Sequence, residues 1–220
     1  MPLETIEIES GPAPTRTVIV LHGLGDSGEG FAPIAEELDL SALGPVRFVL
    51  PHAPERPVTI NGGYVMRAWY DILGTDLARR EDEPGLRQSQ ADIEALIARE
   101  NARGVATSRI VLAGFSQGCA MSLLTGLRYR ERLAGVVGLS GYLPLAATTA
   151  AERSEANRDV PLFLAHGTQD PVVPLARGAG SRDALAALGY DIEWHQYAMP
   201  HSVCAQEIAD LNRWLLRVLA

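Results

Sequence analysis

The chain carries several short apolar runs with no polar residue between their members, among them VIVL (18–21), IVLA (110–113) and LFLA (162–165). A strand with one wet face alternates apolar and polar side chains. A run that does not alternate is covered on both faces, as strands of a parallel sheet are. The short β-branched runs TVIVL (17–21), RFVL (47–50), RIVLA (109–113), GVVGLS (135–140), PLFLA (161–165) and DIEWHQY (191–197) read as strands, and the alternating TIEIE (5–9) as an edge strand. Helical patterns lie between them near 31–40, 86–103, 116–130, 177–189 and 203–219. The last of these places Ile208, Leu211, Leu215 and Leu219 on one apolar face. Strands and helices in alternation predict right-handed crossovers and a doubly wound, mostly parallel sheet with helices on both faces. On such a sheet, ligands bind beyond the carboxyl ends of the strands.

Length and charge narrow the functional classes. With 220 residues and no repeat, low-complexity tract or Ser/Gly linker, residues 1–220 read as one α/β domain. Residues 52–85, rich in Pro and Gly yet carrying Ile60, Met66, Trp69, Tyr70, Ile72 and Leu73, are expected to hold short local elements and to form a flap over a site. The net charge of −8 repels phosphate backbones and anionic headgroups, which argues against a nucleic-acid partner. The amino terminus has no basic stretch followed by an apolar one, and no apolar run approaches the roughly 18 residues of a membrane span. No stable membrane insertion is expected. Two cysteines, Cys119 and Cys204, outside any C-x-x-C pair, fit a reducing cytoplasm.

The strand RIVLA runs directly into Gly114-Phe115-Ser116-Gln117-Gly118, and a helical pattern follows. This is G-x-S-x-G at a strand-to-helix corner. There a serine is held in strained backbone geometry with its hydroxyl above the sheet, and small neighbours are needed to avoid collision. The new helix aims its first amides at whatever Ser116 attacks, so the Gln117 N–H is a candidate oxyanion donor.

A serine hydroxyl is nearly un-ionised at neutral pH and needs a base, and that base needs an orienting carboxylate. In α/β folds with this elbow the chain order is serine, acid, histidine. Of the five histidines, His22, His52 and His166 fail that order and His195 lies inside a strand. His201 remains, just after the last strand. The acids between Ser116 and His201 are Glu131, Glu152, Glu155, Asp159, Asp170, Asp183, Asp191 and Glu193. Only Asp170 follows a buried strand at its carboxyl end. The first buried strand ends in LHGLGDSG (21–28), a turn that would supply a second oxyanion amide from Leu24. There His22 reads as a turn hydrogen-bonder and Asp26 or Ser27 as a helix cap. No histidine or carboxylate spacing suggests a metal. Cys119, Cys204, Trp194 and Trp214 read as packing residues, while Trp69 stands between site lining and local packing.

LHGLGDSG (21–28), FVLPHAPERPVTINGGYVMRAWYDI (48–72), RIVLAGFSQGCA (109–120), HGTQDPVVP (166–174) and HSV before the last helix together resemble the bacterial carboxylesterases and acyl-protein thioesterases. These are small α/β-hydrolases of the phospholipase/carboxylesterase family, and the resemblance spans nearly the whole chain. It implies Ser116 as nucleophile with Asp170 and His201 as partners, and the Leu24 and Gln117 amides as oxyanion hole. It also implies hydrolysis of carboxylic esters or thioesters with short to medium acyl chains, no cofactor, and the homodimers that are frequent in the family. Two positions depart from the family pattern, Pro200 and Cys119, where many members have Gly.

The mechanism expected is acyl transfer to Ser116 and then to water, with a rate that falls on acidification as the His201 base protonates. Only about 20 residues separate GVVGLS from PLFLA, too few for a helical cap. Ile60, Trp69, Ile72, Leu73, Val172 and Val173 are the candidate acyl-binding wall. A serine carboxylesterase acting on small-molecule esters is the leading expectation. A thioesterase or lysophospholipase is the first alternative and a non-catalytic binding protein the second.

Overall fold

The computed structural model describes residues 2–74 and 81–220. Nine strands are present among them: β1 (Thr5–Glu9), β2 (Arg16–Leu21), β3 (Val46–Pro51), β4 (Glu55–Val58), β5 (Tyr64–Arg67), β6 (Ile110–Phe115), β7 (Gly135–Leu139), β8 (Leu162–Gly167) and β9 (Ile192–Tyr197). Seven form one sheet in the order β1-β3-β2-β6-β7-β8-β9. β1 pairs antiparallel with β3 at one edge and every other neighbouring pair is parallel. This is the α/β-hydrolase type of sheet, with its order reversing where β2 lies beside β6.

The uninterrupted apolar runs are explained by two cores, one on each face. In β2, Ile19 and Leu21 enter one cluster while Val18 and Val20 enter the other. The first core is closed by α3 (Glu83–Ala102) and α4 (Gln117–Arg128), through Leu86, Ile93, Ile97, Met121 and Leu124. The second is closed by α7 (Ala205–Val218), through Ile208, Leu211, Trp214 and Leu215, with Ala35 from a short helix near the amino terminus. Burial on both sides from Val18 to Leu21 makes that stretch of β2 apolar throughout, which is why the alternation is missing.

The expected helix over 31–40 is two short pieces, α1 (Gly28–Phe31) and α2 (Pro33–Glu37), because Pro33 has no N–H to continue the first. Ser27 caps α1 by accepting from the Gly30 N–H. Between β7 and β8 lies α5 (Ala146–Glu152), and α6 (Leu175–Ala187) follows β8.

The short local elements expected in the 52–85 stretch are present. β4 and β5 make a separate two-stranded hairpin around Asn61-Gly62-Gly63, with both glycines at positive φ. Asn-Gly between two short runs was a readable turn signal. Ala53, Ala68, Trp69 and Tyr70 are buried in the body of the protein, while Tyr64 and Val65 of the hairpin are exposed. Residues 75–80 of the proposed flap lie outside the described residues.

Candidate active site

Ser116 sits between β6 and α4 with φ 55° and ψ −114°, a region that costs a non-glycine residue roughly 1–3 kcal/mol and needs over-determined surroundings. The two flanking glycines show what does the determining. A Cβ on Gly114 would stand 2.1 Å from the Gly118 carbonyl oxygen, and a Cβ on Gly118 would stand 2.0 Å from that of Leu21. Only bare backbone lets β2, β6 and the start of α4 close around the corner. The Ser116 N–H is tied to the Leu139 carbonyl at 2.8 Å, which anchors the corner to β7.

The structure brings Ser116, His201 and Asp170 together from three loops. His201 Nε2 lies 2.9 Å from Ser116 Oγ, and its Nδ1 lies 2.6 Å from Asp170 Oδ2. The Asp170 side chain is fully buried, and its other oxygen accepts the N–H groups of Val172 and Val173 at 2.8 Å each. A carboxylate fixed this way holds the proton of the imidazole on Nδ1 and turns the Nε2 lone pair to the hydroxyl. The Phe115 ring packs on the imidazole at 4.8 Å and on Phe31 at 5.5 Å, so the base is walled by aromatic surface. The loop that carries Pro200 is held through its own carbonyls. The Met199 and Pro200 carbonyls accept from Gln169 and Ser202, and both lie where a Cβ on Gly167 would clash.

The two candidate oxyanion amides lie beside the serine. Gln117 is the first residue of α4, so its N–H has no acceptor within the helix. Leu24 follows β2, and its N–H has no acceptor among the described residues. Gly23 keeps that turn close: a Cβ there would be 3.5 Å from Ser116 Cβ. His22 stays within the turn, with Nδ1 on the Gly23 carbonyl at 2.7 Å and Nε2 accepting from the Ala53 N–H at 3.0 Å. Burial holds its pKa below the ordinary histidine range, so it is a neutral structural group.

The expected acyl wall is not assembled as such. Trp69 is fully buried, with its indole N–H on the His22 carbonyl at 2.9 Å, and so lies beneath the site and not along it. Val173 is also buried, its carbonyl bonded to His166 and its N–H to Asp170. Ile72 packs partly against the core while its carbonyl receives the Ile60 N–H at 2.9 Å. Ile60 and Val172 are exposed, and Leu73 is half-buried.

Two grooves open at this end of the molecule. One of about 400 Å³ is lined by Phe31, Ile34, Val203, Cys204 and Ile208; the other, of about 490 Å³, by Tyr142, Leu143, Leu145 and Arg177. None of the six expected wall residues lines either. An aromatic residue between two apolar runs was the available signal for Phe31 and Tyr142, but nothing local marks which face they take. Cys119 is buried against Gly141 in the core, its thiol pushed up to about 12 by burial, and takes no part. Among the described residues no group of three or more His, Cys, Asp or Glu could hold a metal. No helix there is long and apolar enough to cross a membrane.

Residues 3–219 match the phospholipase/carboxylesterase family. The chain belongs to that family. Phospholipase/carboxylesterase relatives of high similarity include acyl-protein thioesterase 1 of Yarrowia lipolytica, 42% identical over 97% of this chain and 96% of the relative. Acyl-protein thioesterase 1 of Mycosarcoma maydis is 44% identical over 99% and 98% of the two chains. Among solved structures, Zea mays acyl-protein thioesterase 2 superposes with a TM-score of 0.86 at 30% identity, covering 99% of both chains. Arabidopsis thaliana SOBER1 gives 0.88 at 31% identity, covering 93% of this chain and 99% of its own. The resemblance first read as bacterial therefore holds for the family, with fungal proteins among its near relatives. Membership places the chain among serine hydrolases of the α/β-hydrolase fold.

Proposed function

We infer that this protein hydrolyses acyl thioesters and esters through an acyl-enzyme on Ser116, with acylated proteins as its substrate class ahead of short-chain carboxylic esters. The observation that carries the reaction is the unbroken hydrogen-bonded line from Ser116 Oγ through His201 to Asp170. His201 takes the serine proton as Ser116 attacks the acyl carbonyl. The Leu24 and Gln117 amides receive the negative oxygen, and His201 returns the proton to the departing thiol or alcohol. Water then repeats the steps and frees the acid. A thiolate leaves with less help than an alkoxide, so the same machinery serves both bonds.

The preference for acyl-protein substrates is supported by relatives named acyl-protein thioesterase that cover nearly the full length of the chain. An open site is consistent with it, since α5 is the sole α-helix between β7 and β8 and nothing there caps the serine. The deciding experiment compares an S-acylated peptide with p-nitrophenyl esters of increasing chain length, using wild type and Ser116→Ala. The reading expects a higher kcat/KM on the S-acylated peptide and a loss of roughly 10³-fold or more on both substrates in the variant. Faster turnover of the short esters would return the protein to the carboxylesterases, and equal rates from variant and wild type would end the Ser116 mechanism. Binding of the peptide without turnover by either protein would favour a non-catalytic role.

A further inference from the structure

Trp69 has no part in the reaction just described, yet its polar groups reach both segments that carry the oxyanion amides. Its main-chain N–H donates to Gln117 Oε1 at 2.7 Å, and its indole N–H donates to the His22 carbonyl at 2.9 Å. Its carbonyl accepts from the Ser89 hydroxyl, and its ring packs on the His22 imidazole at 5.3 Å. Gln117 grips the same peptide from its other end, donating from Nε2 to the Tyr70 carbonyl at 2.8 Å. All of this is buried, so any of these bonds that is cut leaves a desolvated group with no water to replace the partner.

These bonds form one line from the Gln117 side chain through Trp69 to His22, and through the His22 ring to the Gly23 carbonyl at 2.7 Å. The two amides lie at its ends, Gln117 at one and Leu24 at the other. The parallel ladder between β2 and β6 ends at the pair Leu21 and Gly114, before either amide is reached. Beyond it the strand ladder no longer sets the distance across the gap, and Trp69 bridges it alongside the close approach of Gly118 to the Leu21 and His22 carbonyls. We propose that Trp69 is a positioning residue that sets the separation of the Leu24 and Gln117 amides, and so tunes binding of the tetrahedral oxyanion and not of the ground-state substrate. The proposal rests on Ser116 being the nucleophile.

Oxyanion donors act within a few tenths of an ångström, and a misplacement near 1 Å costs up to about 10²-fold. Trp69→Phe keeps a ring in the core and deletes the indole donor. With p-nitrophenyl butyrate, kcat is expected to fall roughly tenfold while KM stays within about twofold. The affinity for butyl trifluoromethyl ketone, whose adduct on a serine carries an oxyanion, is expected to weaken by the same factor as kcat. Gln117→Met cuts the line at its other anchor and should shift kcat and ketone affinity together in the same way. It decides the question alone if Trp69→Phe does not fold. In the double variant the losses should fall short of their product, because both act on one spacing.

A variant with a lowered melting temperature but unchanged ketone affinity would reduce Trp69 to packing and overturn the proposal. So would losses in kcat that the ketone does not follow. Failure of the underlying reading looks different: Ser116→Ala would then hydrolyse the ester as fast as wild type, and the ketone would bind both equally.

Discussion

Asp170 Oδ2 lies 2.6 Å from His201 Nδ1, while Oδ1 of the same carboxylate accepts two backbone N–H groups of its own loop. One side chain thereby shapes the loop and orients the imidazole. Asp170→Asn separates the two tasks. The amide oxygen can still accept from Val172 and Val173, so the fold should persist. The amide NH₂ then faces Nδ1 and forces the proton onto Nε2, where it blocks the serine. Loss of roughly 10⁴-fold in kcat with a melting temperature close to wild type is expected. Retention of more than about a tenth of the activity would mean that the carboxylate does not orient the base.

The corner that strains Ser116 depends on backbone contact. In Gly118→Ala the new Cβ would stand 2.0 Å from the Leu21 carbonyl oxygen, which cannot move without parting β2 from α4. The expected cost is about 3 kcal/mol or more, or roughly 10 °C in melting temperature, together with loss of turnover. Gly180→Ala is the internal control. Its Cβ would meet nothing within 4 Å in the middle of α6, so the substitution should raise stability by up to about 1 kcal/mol.

Glu207 is fully buried in the first turn of α7, and among the described residues neither carboxyl oxygen has a hydrogen-bond partner of normal geometry. Burial pushes its pKa up from 4.5 to about 8, partly offset by the nearby Cys204 N–H. The sign follows from proton counts. Between those two values the folded state holds a proton that the unfolded chain has released, so stability is lost as pH rises, and the full loss is reached above about pH 8. Glu207→Gln removes this dependence. Relative to wild type, the variant should gain stability from about pH 5 to about pH 9, by an amount on the order of a few kcal/mol. Parallel melting curves at the two pH values test it, and an equal difference at both would contradict the assignment.

The edge of the sheet is joined to α3 by charge. Glu100, buried on α3, receives Arg47 of β3 at 2.7 Å, the Thr17 hydroxyl of β2 at 2.8 Å and Arg103 at 3.0 Å. Arg47→Met keeps most of the side-chain volume and leaves Glu100 short of the better buried of its two hydrogen-bonded arginine partners, Arg47 and Arg103. Removing one member of a buried pair typically costs roughly 3–5 kcal/mol, and the lower end applies here because Arg103 and Thr17 remain. Chemical denaturation should show the loss with kcat unaltered, since the network lies away from Ser116.

Much of the fold was legible because its signals are local. Both-face burial writes itself into the sequence as unbroken apolar runs, so β2, β6 and β8 could be placed within a residue or two. The nucleophile corner needs glycine at fixed offsets from the serine, and chain order together with position at the carboxyl end of a strand then singles out Asp170 and His201. The 52–85 stretch resisted the same treatment. Its exposed hairpin and its buried Trp69 and Tyr70 lie within a few residues of each other, and an apolar side chain in a loop does not reveal which partner will cover it.

The sequence by itself determined the class of sheet, the strained serine and the order of the acid and the base, since each follows from spacing along one segment or from succession along the chain. Only the tertiary structure decided that β2 lies beside β6, that the Gln117 side chain clasps the peptide of Trp69, and that the indole closes on His22. Those contacts join residues more than forty positions apart, and their geometry is set by how the strands stack and where the loops between them are covered.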